Sequence, residues 1–101
     1  MEIKRNDILV EQYQANMTLH TFYKVLSVKG KAVQLYPLEK QNIEPKGFMR
    51  YQVKPIDTKV VWQKNVITKR FNKENKISMS KYSMPLYKYN DTLVIVDDWA
   101  D

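Results

Sequence analysis

Apolar and polar residues alternate along most of this chain with a period near two, and the alternation breaks at short intervals on glycine, proline and asparagine. β-Branched and aromatic residues carry the pattern, so strands are expected rather than helices, which need apolar residues at three- and four-residue spacing. DILV, Asp7 to Val10, reads as a first strand. Phe22 to Val28 and Lys31 to Leu38 read as the arms of a hairpin, with Lys29-Gly30 supplying the glycine that a tight turn needs for positive φ. Pro37, which has no N–H to donate, reads as the end of the second arm or as an edge position. EKQNIEPK, Glu39 to Lys46, then reads as a polar link.

KGFMRYQVKP, Lys46 to Pro55, alternates residue by residue. If extended, it presents Phe48, Arg50, Gln52 and Lys54 on one side and Met49, Tyr51 and Val53 on the other, the second side facing the core, with Pro55 as the stop. The window 57–67, with Val60, Val61, Trp62, Val66 and Ile67, fits either a strand or a short helix. TKRFNKENK, Thr68 to Lys76, has no apolar face beyond Phe71 and reads as a basic loop. KISMSKYSMPLYKY then leads through Asn90-Asp91 into TLVIV, Thr92 to Val96, as a closing hairpin. Together these predict one all-β domain over residues 1–101, with a minor helix allowed. The expected form is a small, partly open SH3-like barrel or strongly bent antiparallel sheet of about five to six strands.

Composition changes that picture little. The hydrophobic fraction of 44% and charged fraction of 28% are those of a chain that folds. No apolar run approaches the roughly 20 residues of a membrane span, and MEIKRNDILV lacks the core of a leader, so no membrane and a cytoplasmic location are expected. Zero cysteines removes disulfides and thiol chemistry.

Charge is more informative. The net charge is +6, and it is concentrated in residues 29–88, where lysines and arginines are opposed only by Glu39, Glu44, Asp57 and Glu74. The C-terminal stretch 97–101 reads as a short acidic tail. A basic middle favours a polyanionic partner. Arg50, Lys54, Lys69, Arg70, Lys73, Lys76 and Lys81 lie near aromatics in sequence, Tyr82 among them. They are the candidate binding residues, with Arg50, Lys54 and the 68–76 loop expected on one surface. About two-thirds of the aromatics, together with Met49, Met79 and Met84, are expected in the core.

Catalytic chemistry finds no footing. His20 is the only histidine, so no site of two histidines exists. Asp97 and Asp98 are adjacent and would point to opposite faces of a strand. With only Gly30 and Gly47 there is no glycine-rich phosphate loop. The expectation is a protein without enzymatic activity, metal or cofactor.

Asp7 and Ile8, then Phe22, Tyr23, Val25, Val28, Lys31 and Val33, then Gly47, Phe48, Met49, Val53 and Pro55, then Lys76, Ile77, Ser78, Tyr82 and Tyr87 stand in a recognisable order. In that order the chain resembles a family of small proteins carried by phages, plasmids and integrative elements of bacteria, and its hairpin resembles the centre of SH3-like barrels. Where the related chains carry a tryptophan- or glycine-containing loop, this one has EQYQANMTLH. The resemblance implies an accessory protein acting on host machinery: an anti-CRISPR-type inhibitor that blocks a Cas nuclease and its guide RNA by occupancy. A general module for single-stranded DNA or RNA and a phage structural or assembly protein are the alternatives. The partner is thus a host protein, a ribonucleoprotein or nucleic acid.

Overall fold

The computed structural model describes residues 2–60 and 66–99. Their regular structure is all β: β1 (Ile8–Gln14), β2 (Thr18–Lys29), β3 (Ala32–Gly47), β4 (Arg50–Val60), β5 (Ile67–Arg70), β6 (Tyr87–Lys88) and β7 (Ile95–Asp98). All pairings are antiparallel. β2, β3, β4 and β7 close into a ring, with β1 and β6 extending from β2 and β5 from β3. The expected small β barrel is present, with seven strands where about five to six were anticipated. Among the described residues no helix is long and apolar enough to cross a membrane.

The β2–β3 hairpin forms as its sequence dictates. Lys29 pairs with Ala32, leaving Gly30-Lys31 as a two-residue loop. Gly30 has φ +59, and glycine in the first loop position is the mark of a type II′ turn, whose twist matches that of the strands. β2 carries consecutive buried residues, Phe22 and Tyr23, because it separates two apolar clusters. Leu9, Tyr23, Val25, Val33 and Leu35 face one way and are covered by Ile77 and Leu86 of the C-terminal segment. Val10, Phe22, Leu38, Val53 and Ile95 face the other way and fill the barrel.

Several expectations are corrected. Glu39 to Lys46 is not a link but the far half of β3, paired with β4 through Gly47. Solvent on both of its faces removes the apolar alternation by which a strand is read. Pro37 does not end β3. It pairs with Tyr23 on one side, while on the other side β5 pairing stops at Leu35 and β4 pairing starts at Leu38, so no ladder asks for its N–H. Pro55 likewise sits inside β4.

KGFMRYQVKP is not one strand. Phe48 and Met49 form the loop of the β3–β4 hairpin, with Gly47 at φ +135 and Met49 at φ +57. Of the three residues expected inside, only Val53 is buried, and Met49 and Tyr51 are exposed. In the 57–67 window, residues 57–60 are strand, whereas Val61 and Trp62 lie outside the described residues. Thr68 to Arg70, expected as loop, is strand β5.

The closing hairpin is also absent. Tyr87–Lys88 joins β1, whereas Ile95–Asp98 joins β4 and β2 at another edge. Nor is Asp97 part of an exposed tail, being 1% exposed within β7. The aromatics are less buried than expected: Phe22 and Tyr23 are inside, while Phe48, Tyr51, Tyr82 and Trp99 are exposed. Met84 is exposed too, and Met79 is half-buried against the core.

Candidate nucleic-acid interface

β2 runs the length of the molecule, and its two ends differ in chemistry. Its twelve residues span about 36 Å at about 3.3 Å per step. At one end, Lys29, Ala32 and Arg70 form a row across β2, β3 and β5. Residues directly opposite in a ladder share a face, so Lys29 and Arg70 stand on the same side with small Ala32 between them. The next row, Ser27, Gln34 and Thr68, is polar, with the Ser27 hydroxyl donating to Gln34 Oε1 at 2.9 Å. Lys31 lies in the turn, and its carbonyl accepts from the Phe71 N–H at 2.9 Å, which brings the following loop alongside. That loop is tight because Asn72 Oδ1 accepts from the N–H groups of Glu74 and Lys76, and it carries exposed Lys73. Lys29, Lys31, Lys69, Arg70 and Lys73 have no ion pair among the described residues. Lys76 faces Glu74 at 3.8 Å.

At the other end of β2, Lys46 and Arg50 are matched by carboxylates, while Lys81 has no ion pair among the described residues. Thr18 pairs with Asp98, which pairs with Arg50, which pairs with Gly47. Arg50 Nε donates to Asp98 at 3.0 Å, and Lys46 meets Glu44 at 2.7 Å. Ile43, Phe48, Met49, Tyr51 and Trp99 are exposed there, with Phe48 at 84%. The Trp99 N–H donates to the Met49 carbonyl at 2.9 Å and fixes the tip. Tyr82 belongs to this end through the Gln14 N–H, which donates to its carbonyl, and through its edge contact with Tyr13. Lys81 stands 5.0 Å from the centre of the Tyr82 ring, near enough for a cation–π contact.

The sequence-predicted residues therefore separate. Lys69, Arg70 and Lys73 gather around the Gly30 turn, with Lys76 in the same loop. Arg50 stands at the far hairpin, and Lys81 and Tyr82 flank the end of β1. Lys54 lines a polar depression of about 420 Å³ beside Asp57, Asp7 and Tyr89. The Tyr89 hydroxyl in that wall has no hydrogen-bond partner among the described residues, and Lys24 and Lys88 hold Asp57 and Asp7. Lys29 and Lys31 complete the basic end and were missed, although their flanking of the turn glycine was a readable signal.

A second cluster was also missed. Where β2 leaves β3 for β7, Asp97 Oδ1 accepts from both the backbone N–H and Nδ1 of His20, at 2.9 and 2.8 Å. Lys40 Nζ donates to Asp97 Oδ2 and, at 2.6 Å, to the His20 carbonyl. Burial alone would push the Asp97 carboxyl up, but hydrogen bonds from His20 and Lys40, reinforced by the lysine charge, outweigh it and hold the group below its ordinary value. The cluster fills the seam left by the diverging strands. An acid at every-other-residue spacing from Leu93 and Ile95 was the available sign that Asp97 points inward.

Groups of three or more metal-ligating side chains are absent among the described residues. Comparison with protein-family models, with curated proteins and with solved structures finds no match to the chain.

Proposed function

We propose that this chain is a non-enzymatic binding protein that docks on nucleic acid, free or within a ribonucleoprotein, through the basic end around Gly30. The observation that carries the reading is the contrast in pairing. Five cations share one end without a carboxylate partner among the described residues, while at the other end Lys40, Lys46 and Arg50 each have one and Lys81 stands over the Tyr82 ring instead. Unneutralised, clustered cations are the footprint of a phosphate-binding surface.

The test is fluorescence anisotropy of the protein with a labelled oligonucleotide at increasing salt. Phosphate contacts release counterions, at about 0.9 in log–log slope per contact for duplex DNA. A slope of about −3 or steeper is expected for a surface of this size. Absence of binding, or binding indifferent to salt, overturns the reading.

A second reading draws on the exposed apolar tip. On the resemblance to mobile-element proteins, the chain would block a host defence complex, such as a Cas nuclease with its guide RNA. The basic end would meet RNA, and Phe48 with its neighbours would meet protein. Inhibition of target cleavage by a purified nuclease, lost on Phe48→Ala, is the expected result. Full inhibition by Phe48→Ala would remove the tip from the mechanism.

A further inference from the structure

We infer that the basic end takes the paired backbone of double-stranded nucleic acid rather than a stacked single strand. This rests on the nucleic-acid reading above and narrows it.

Single strands are bound by aromatic platforms set beside a cationic groove, each base stacking on a ring. Here, among the described residues, the exposed rings stand apart from the clustered cations, with Lys81 beside Tyr82 as the exception. Phe48, Tyr51, Tyr82 and Trp99, the exposed rings, belong to the Thr18 end of β2. The five clustered cations without an ion pair among the described residues are at the Lys29 end, about 36 Å away along the strand. Phe71, whose N–H donates to the Lys31 carbonyl in the turn, packs against the core through the cluster that holds Val33 and Ile77.

The shape of the basic end suits a duplex. Lys29 and Arg70 stand two strand spacings apart, about 10 Å, on either side of Ala32. That separation is comparable to a major groove of about 12 Å, which admits a two-stranded β-ribbon. The ribbon ends in a two-residue turn that stands clear: a Cβ on Gly30 would meet nothing within 4 Å. Lys31 at the turn points the ribbon's charge into the groove, while Lys29 and Arg70 reach phosphates at its sides. Thr68 and Gln34 in the next row supply further donors to the backbone.

The experiment compares the intact chain and four variants in anisotropy against labelled duplex DNA, duplex RNA and an unstructured single strand of equal length at one fixed salt. Duplex is expected to bind at least about fivefold tighter than single strand. Lys29→Glu with Arg70→Glu is expected to weaken duplex binding by at least about tenfold. Phe48→Ala and Tyr82→Ala are expected to leave it unchanged. The DNA and RNA arms show which duplex form the surface accepts, and preference for either supports the inference. If the single strand binds equally or more tightly, and Phe48→Ala or Tyr82→Ala weakens it, the duplex inference fails while the nucleic-acid reading stands. If no probe binds, both fail. Circular dichroism and melting of each variant separate lost contacts from lost folding, and Arg70→Gln alone, expected to weaken duplex binding less than the double reversal, keeps the test open if the double variant unfolds.

Discussion

At the Lys29 end of β2 the chain makes the turn that backbone sterics favour and surrounds it with charge left unneutralised. At the Thr18 end the neighbouring hairpin does the reverse. Its loop, Phe48-Met49, uses two large apolar residues, holds Met49 at φ +57 where glycine would fit best, and is flanked by Lys46 and Arg50 each paired with a carboxylate. A left-handed non-glycine residue costs on the order of 1 kcal/mol or more. The first end is locally consistent and electrostatically open, and the second is locally strained and electrostatically closed. The contrast teaches that turn chemistry and surface chemistry were set separately at the two ends, as two different contacts would require.

The largest expected break in this comparison comes from the seam that holds the Thr18 end together. Asp97→Ala leaves the His20 N–H groups and the Lys40 ammonium without their acceptor, and a loss of about 3 kcal/mol is expected, or a melting temperature lower by about 15 °C. Acid should expose the same contact. The folded Asp97 carboxyl lies below its unfolded value, so its contribution is present above the unfolded carboxylate range and drains away as pH falls through the folded pKa. Chemical denaturation between neutral pH and about pH 3 should show stability falling in the intact chain, with a shallower fall in Asp97→Asn. An equal slope in both would mean that other carboxylates dominate.

Smaller effects sharpen the contrast. Gly47→Ala forces an alanine to φ +135, and about 1–3 kcal/mol of destabilisation is expected by thermal melting. Replacing Phe48-Met49 with Asn-Gly should instead raise stability, by about 0.5–1 kcal/mol, because the loop gains residues suited to positive φ. A melting temperature that falls would mean that the exposed rings stabilise the tip. The smallest effect is expected from Arg50→Glu, which should change duplex binding by less than about twofold, since Arg50 stands away from the basic end.

The β2–β3 hairpin was legible because its alternation and its glycine speak to the same turn. The far half of β3 was not, since Gln41 to Gly47 meet solvent on both faces and are strand only because β4 pairs with them. Prolines misled for a related reason: Pro37 and Pro55 sit where a second ladder is missing or irregular, a property of partners rather than of local sequence. At the candidate site, the basic middle of the chain was legible as charge but not as place. Strand pairing alone decides that Arg70 stands beside Ala32 and Arg50 beside Gly47. Asp97, His20 and Lys40 come together across long sequence separations, which no local pattern records.

Closure of the ring by β7 has a kinetic consequence. The contact between His20 and Asp97 spans 77 positions, whereas β1, β2 and the near half of β3 meet through short loops. Local hairpins form in about 1–10 μs, but the long loop must lose its freedom before Asp97 can dock. Refolding should therefore separate in time, with strand signal arriving early and the environment of Trp99, beside the last strand, changing late. The shutting of the seam is the step expected to be slow.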